Sequence, residues 1–161
     1  MQLEMNHVLF ATDLGPRGPE IFRYAASLAM RYDAALHVLH VLEKPRAMRH
    51  SAYRHFISDE LVEDWREDVH DEVAETIRGR LEKFCLSSLT PPERERVRIE
   101  TIRALDGHPA RVILAEARRI PVDCIVVGSN RYSALGEMVV GSVAHALTLR
   151  SDIPVLLVPL R

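Results

Sequence analysis

Residues 122–158 read VDCIVVGSNRYSALGEMVVGSVAHALTLRSDIPVLLV. VDCIVV (122–127) is a continuous apolar run that closes at Gly128, the pattern of a strand covered on both faces. SNRYSALGE (129–137) reads as a loop and MVVGSVAHALTLR (138–150) as a helix. IPVLLV (153–158) is a last strand with Pro154 and Pro159 at its ends, and prolines are tolerated there on an edge strand.

The rest of the chain repeats the alternation. HVLFAT (7–12) is a short apolar strand that stops at Asp13, and Gly15, Pro16, Gly18 and Pro19 then mark a turn. Ile21, Tyr24, Ala25, Leu28, Ala29 and Tyr32 recur at helical spacing. LHVLHVL (36–42) is a second strand. Residues 45–56 are basic and unpatterned, a loop. Ser58 suits an N-cap, with Asp59 and Glu60 in the first turn, where the helix dipole favours acids. Leu61, Trp65, Val69, Val73, Ile77, Leu81 and Cys85 then repeat every four residues. Each such step drifts about 40° against a 3.6 period, so the two ends of this stripe face different surroundings. RVRIETI (96–102) alternates, with Val97, Ile99 and Thr101 on one face and Arg98, Glu100 and Ile102 on the other, as in a half-exposed strand near a sheet edge. GHPARVILAEARRI (107–120) is a helix with Pro109 in its first turn. Strand and helix alternate throughout. The expected class is therefore α/β: an open, doubly wound, five-stranded parallel sheet with helices on both faces, as a single domain over residues 1–161.

Composition narrows the function. The chain has 161 residues, 47% hydrophobic and 27% charged, the balance of an ordinary globular protein. Its formal net charge of −2 argues against nucleic acid as a partner, because such domains are usually strongly basic. No apolar run reaches the roughly 18 residues of a membrane span, and the start lacks the basic segment of a signal peptide. Cys85 and Cys124 lie in apolar surroundings, which suits reduced, buried thiols and a cytoplasmic location.

In such sheets, ligands bind at the carboxyl ends of strands where the strand order reverses. Strand one ends in Ala11-Thr12-Asp13. Strand four ends in Gly128, followed by Ser129, Asn130 and Arg131, then nine residues, then Gly141-Ser142. Glycine lets an anion approach backbone N–H groups, a helix N-terminus supplies free donors, and the Ser142 hydroxyl could add another. A tight turn with helix packing explains the same glycines without a ligand. No Walker A lysine and no G-x-G-x-x-G accompany them.

Four places together resemble the universal stress protein family: ATD ending strand one (Thr12, Asp13), HVL at 40–42, GHPA at 107–110, and DCIVVGS…GSVAHAL…DIPVLLVP from 123 to 159. The resemblance covers essentially the whole chain. It implies an α/β fold with five parallel strands, dimerisation through the last strand (Pro154 to Pro159), and binding of ATP or AMP, with or without Mg2+, through G-x2-G-x9-G-[S/T]. By position it implies that Asp13 and Val41 flank the adenosine, and that Gly128, Gly141, Ser142 and Val143 line the ribose and phosphates. Thr12 and Ser129 stand beside them. One departure is plain: the motif's second glycine is Arg131. An arginine is disfavoured if that position needs a positive φ, and its side chain could fill the pocket. The guanidinium could equally grip phosphate in a bidentate way.

The resemblance thus implies a dimeric, stress-responsive nucleotide sensor or regulator. The alternative is a nucleotide-independent dimeric interaction module of the same fold. No nucleophile–base constellation stands out, so a binder is expected rather than an enzyme, with slow ATP hydrolysis at most. Glu116 and Asp123 read as surface residues. No metal site is expected: His37 and His40 point to opposite strand faces, and His50 and His55 have no acidic or cysteine partner nearby. His108 and His145 lie near the ligand region and read as solvated or hydrogen-bonded. Residues 59–75 carry nine acids and one arginine. They read as a solvated helix face or as a docking surface for a basic partner. VLLV between its prolines would be protected by antiparallel pairing with a twin chain.

Overall fold

The computed structural model describes residues 4–42, 59–132 and 138–159; within these, the side chains of 59–70, 130–132, 138 and 139 are not described. The basic segment 45–56 and Ser58 lie outside the described residues, as do the side chains of Leu61, Trp65, Val69 and Arg131.

Five strands form one all-parallel sheet: β1 (His7–Thr12), β2 (Ala35–Leu42), β3 (Arg98–Asp106), β4 (Cys124–Gly128) and β7 (Val155–Val158), in the order β3-β2-β1-β4-β7. The chain winds outward from β1 through α1 (Gly18–Tyr32), α2 (Asp59–Ser88) and α3 (Pro91–Arg96) to β3. It then crosses back through α4 (Pro109–Arg119) to lay β4 on the other side of β1, and returns through α5 (Ser142–Arg150) to β7. The expected doubly wound sheet is therefore present, with β3 and β7 at its edges.

The alternation of side chains along each strand builds two cores. Val8 and Phe10 of β1, Leu36 and Val38 of β2, and Cys124 and Val126 of β4 pack against Ile21, Phe22, Ala25 and Ala29 of α1 and Leu81 and Cys85 of α2. Leu9 and Ala11, Leu39 and Val41, and Ile125 and Val127 face Ile113, Leu114 and Ala117 of α4 and Ala144 and Leu147 of α5. The buried face of α1 centres on Phe22 and Ala26, so Tyr24 and Tyr32 stand at its rim, exposed. The winding stripe of α2 behaves as its spacing predicts: Val73 is exposed, while Leu81 and Cys85 are buried. Both cysteines are free and buried, and burial pushes the Cys85 thiol up to about 12 and raises that of Cys124.

Two local readings need correction, and one short helix was not expected at all. Pro91 and Pro92 open α3, because a proline in a first helical turn lacks only an N–H that would be unpaired anyway. Thr90 precedes them, and its N–H donates to Glu93 Oε2 at 2.8 Å. Residues 138–140 are not helical: Met138–Val140 form strand β6, antiparallel to β5 (Asn130–Tyr132), and the helix begins only at Ser142. The β-branched pair Val139-Val140 favours the extended form there. Finally, Ile99 and Thr101 do not share a face. A bulge shifts the β2–β3 register between Leu36↔Ile99 and His37↔Thr101, so Ile99 packs with the α1–α2 core while Thr101 meets His37 on the α4 side.

Candidate functional site: the crevice between β1 and β4

The strand order reverses between β1 and β4, and there the two strands part. Among the described residues their ladder ends at Phe10↔Val126. β1 nevertheless continues alongside β2 to Thr12↔His40, and β4 alongside β7 to Gly128↔Val158. The last residues of both strands thus border an opening at the carboxyl edge of the sheet.

On the β1 side, local hydrogen bonds hold the chain in a tight turn. Thr12 is buried, and its Oγ1 accepts the Leu14 N–H at 3.0 Å. Its carbonyl accepts the His40 Nδ1–H at 2.8 Å, which fixes the tautomer of that ring. Leu14 adopts φ 59°, unusual for a residue with a branched side chain. Asp13 Oδ1 accepts the Gly15 N–H at 2.8 Å, an Asx turn that aims the exposed carboxylate. A Cβ on Gly15 would stand 2.9 Å from that same oxygen. Gly15→Ala is therefore expected to swing the Asp13 carboxylate aside. For the nucleotide that the sequence resemblance implies, calorimetry should show affinity falling by roughly tenfold or less, the net contribution of about one hydrogen bond, with an unchanged circular dichroism spectrum.

On the β4 side, the Ser129 N–H donates to the Val158 carbonyl and the Gly141 N–H donates to the Ser129 carbonyl, both at 3.0 Å. These bonds staple the start and the end of the intervening hairpin together. Gly141, at φ −59° and ψ 150°, caps α5. The first intrahelical bond runs from the His145 N–H to the Gly141 carbonyl at 2.8 Å. The N–H groups of Ser142, Val143 and Ala144 consequently have no acceptor within the helix, and with the helix dipole they form an anion-binding end. Val143 packs on the core beside Ala144 and Leu147, which fixes the first turn in place. Val41, at the end of β2 beside β1, is buried in the core on the α4–α5 side.

The sheet thus brings Thr12, Asp13, Val41, Gly128, Ser129, Gly141, Ser142 and Val143 to one edge. Arg131 leaves that edge along β5, opposite Val139. Its backbone is part of an antiparallel ladder, so a glycine-only conformation is not required there. Sequence reasoning named His40 only as a weighed metal candidate and as part of HVL, took Gly15 only as turn punctuation, and did not single out Leu14. The Gly-Pro punctuation after Asp13 marked the turn without showing that it aims the carboxylate.

Two acids read as surface residues are structural. Glu116 is 5% exposed and is bound by Arg103 at 2.5 Å and by Arg119 at 2.6 Å and 2.9 Å. The arginines hold its carboxyl below the usual range against the opposing effect of burial. Asp123 Oδ2 accepts the N–H groups of Asn6 and His7 at 2.7 and 2.9 Å, tying the start of β1 to the head of β4. A groove of about 440 Å3 lies elsewhere, between α2 and β3. Its Arg78 is already engaged by Glu75 and Glu82, so it offers no free cation to a ligand. Among the described residues no cluster of three or more metal-ligating side chains occurs, and no helix is long and apolar enough to cross a membrane.

Comparison with known proteins agrees with this architecture. The model of the universal stress protein family matches residues 4–159. The universal stress protein YxiE of Bacillus subtilis is 31% identical over 95% of this chain and 98% of its own length. Among solved structures, the hypothetical protein MJ0577 superposes with a TM-score of 0.76 at 19% identity, covering 99% of both chains. A universal stress protein in complex with cAMP reaches 0.60 at 18% identity over 98% of both chains. One from Archaeoglobus fulgidus in complex with dAMP reaches 0.54 at 18% identity, covering 97% of this chain and 98% of that one. At these identities the structural likeness establishes the fold.

Proposed function

Because the chain belongs to the universal stress protein family, we propose that it is a cytoplasmic, dimeric stress-response regulator that binds an adenine nucleotide in the crevice between β1 and β4. The observation that carries this reading is the parting of β1 and β4, with the first-turn N–H groups of α5, which have no acceptor within the helix, tied by Gly141 to the end of β4. The complexes of similar proteins with cAMP and dAMP support an adenylate as the ligand. In this reading Val41 packs on the adenine, Asp13 accepts from the ribose hydroxyls or the adenine edge, and Gly128, Ser129, Gly141, Ser142 and Val143 receive the phosphates. The same site takes ATP or AMP, with or without Mg2+. The protein acts as a binder rather than a catalyst, and occupancy alters its contacts with a partner, for which the acidic stretch 59–75 is the docking surface.

The test is a calorimetric titration of nucleotide-stripped protein with ATP and AMP, each with and without magnesium. Saturation near one site per chain is expected. Absence of heat and of competition with both nucleotides would reject the crevice as a nucleotide site and leave the interaction-module reading.

The proposed dimer would form through β7. The carbonyls of Pro154 and Val158 accept from β4, so the peptide groups of alternate residues, Val155 and Leu157, face away from it. A twin strand would pair with those groups. Leu157→Pro removes one outward N–H while sparing the β4 ladder. Sedimentation is expected to show a dimer for the parent chain and a monomer for this variant.

A further inference from the structure

His37 lies at 3% exposure in the middle of the sheet, and both of its ring nitrogens are engaged. Nε2 is 3.1 Å from His7 Nδ1 on β1, and Nδ1 is 2.9 Å from Thr101 Oγ1 on β3. The β2–β3 bulge is what brings Thr101, rather than Glu100, level with His37. Bulges commonly re-aim a side chain in this manner. The result is a hydrogen-bonded chain across three adjacent strands, beneath α4.

We propose that the His7–His37–Thr101 chain is a proton-sensitive latch that fastens β3 to the centre of the sheet and opens in mild acid. The contact between the two imidazoles needs one N–H and one lone pair. One proton more than the neutral pair carries can be held, shared between the rings. A second places N–H against N–H at 3.1 Å, and the contact must break.

The surroundings set when this happens. Burial and the neighbouring His7 hold the His37 imidazole below its ordinary range. Arg119 of α4 acts in the same direction, while Glu100 of β3 and Glu116 of α4 oppose it. Arg103 of β3 is turned to Glu116 and partly neutralises it. Since the folded form resists protonation, the unfolded form binds more protons below the ordinary histidine range. The latch's contribution is complete above that range and is lost as the pH falls toward the lowered folded value. The expected sensitivity is up to about tenfold in the opening constant per pH unit for each proton taken up.

Hydrogen exchange and histidine C2–H resonances, followed by NMR from pH 7.5 to 5, test the proposal. In the parent chain, protection factors of the 101–106 amides should fall as the pH drops below about 6.5, and the His37 resonance should titrate below that of a free imidazole. His7→Gln keeps an acceptor but cannot become a cation. It should shift the His37 midpoint upward and remove the second-proton conflict, reducing the pH slope of β3 protection. His37→Gln should make that protection nearly independent of pH. A His37 midpoint unmoved by His7→Gln, or the same slope in all three proteins, would overturn the latch. If His37→Gln fails to fold, the half-exposed His7→Gln variant still decides the matter.

Discussion

If the proposed site is right, replacing Ser142 with aspartate is expected to lower affinity for ATP by roughly a hundredfold or more while leaving the fold intact or slightly stabilised. Ser142 is the first residue of α5, after the Gly141 cap. A carboxylate in a first helical turn interacts favourably with the helix dipole, by about 0.3–1 kcal/mol. In the proposed site the same charge occupies the place where the first-turn N–H groups, which have no acceptor within the helix, would receive phosphate. It competes for those donors and repels the ligand, and loss of one charge-assisted hydrogen bond alone is worth about 1.5–3 kcal/mol. Opposite signs for stability and affinity make the result diagnostic. Calorimetry with ATP, AMP and adenosine should show the loss shrinking as phosphates are removed, and thermal melting should show no destabilisation. Equal losses for all three ligands would place the phosphates somewhere other than α5.

The largest effect on stability is expected at Phe10. This fully buried side chain stands edge-on to Phe22 of α1, with ring centroids 5.4 Å apart, and stacks on Phe84 of α2 at 6.3 Å. Phe22 and Phe84 also meet edge-on at 5.4 Å. The trio joins the central strand to both helices on that face. Phe10→Ala removes the ring common to both strand contacts, and such truncations destabilise by about 3–5 kcal/mol. That is a large fraction of the roughly 5–15 kcal/mol that holds an ordinary domain folded. Denaturant unfolding should show the midpoint collapsing; a shift of under about 1 kcal/mol would mean that the face closes without this ring.

Much of this was legible in the sequence because it depends on periodicity. VDCIVV and HVLFAT announce buried strands, and the glycines after strand four, with Asp13 after strand one, mark the carboxyl edge where ligands bind in such folds. The unread features depend on contacts between distant parts of the chain. Strict alternation in RVRIETI promised one face for Ile99 and Thr101, yet a bulge against β2 separates them. Glu116 looked like a surface acid because Arg103 lies thirteen residues away on another element. Met138–Val140 looked helical because β6 acquires its partner only when the hairpin returns on Asn130–Tyr132. The Arg131 substitution, alarming beside a glycine motif, is compatible with an extended strand backbone.

The short β1–β4 ladder also has a kinetic consequence. Its three register pairs join residues about 116 apart in sequence, starting with Val8↔Cys124, whereas β1, β2 and β3 are assembled from one earlier stretch of chain. Contacts of such separation are slow to form, since the intervening loop must close first. A nucleotide bound as we propose, between Asp13 and Val41 on one side and α5 on the other, would have no complete binding place until that seam has closed. If closing that seam limits folding, the binding energy acts after the limiting step. Nucleotide should slow the unfolding limb and leave the refolding limb almost unchanged. If the crevice takes nucleotide as proposed, occupancy means a longer lifetime of the folded chain, set by how much nucleotide surrounds it.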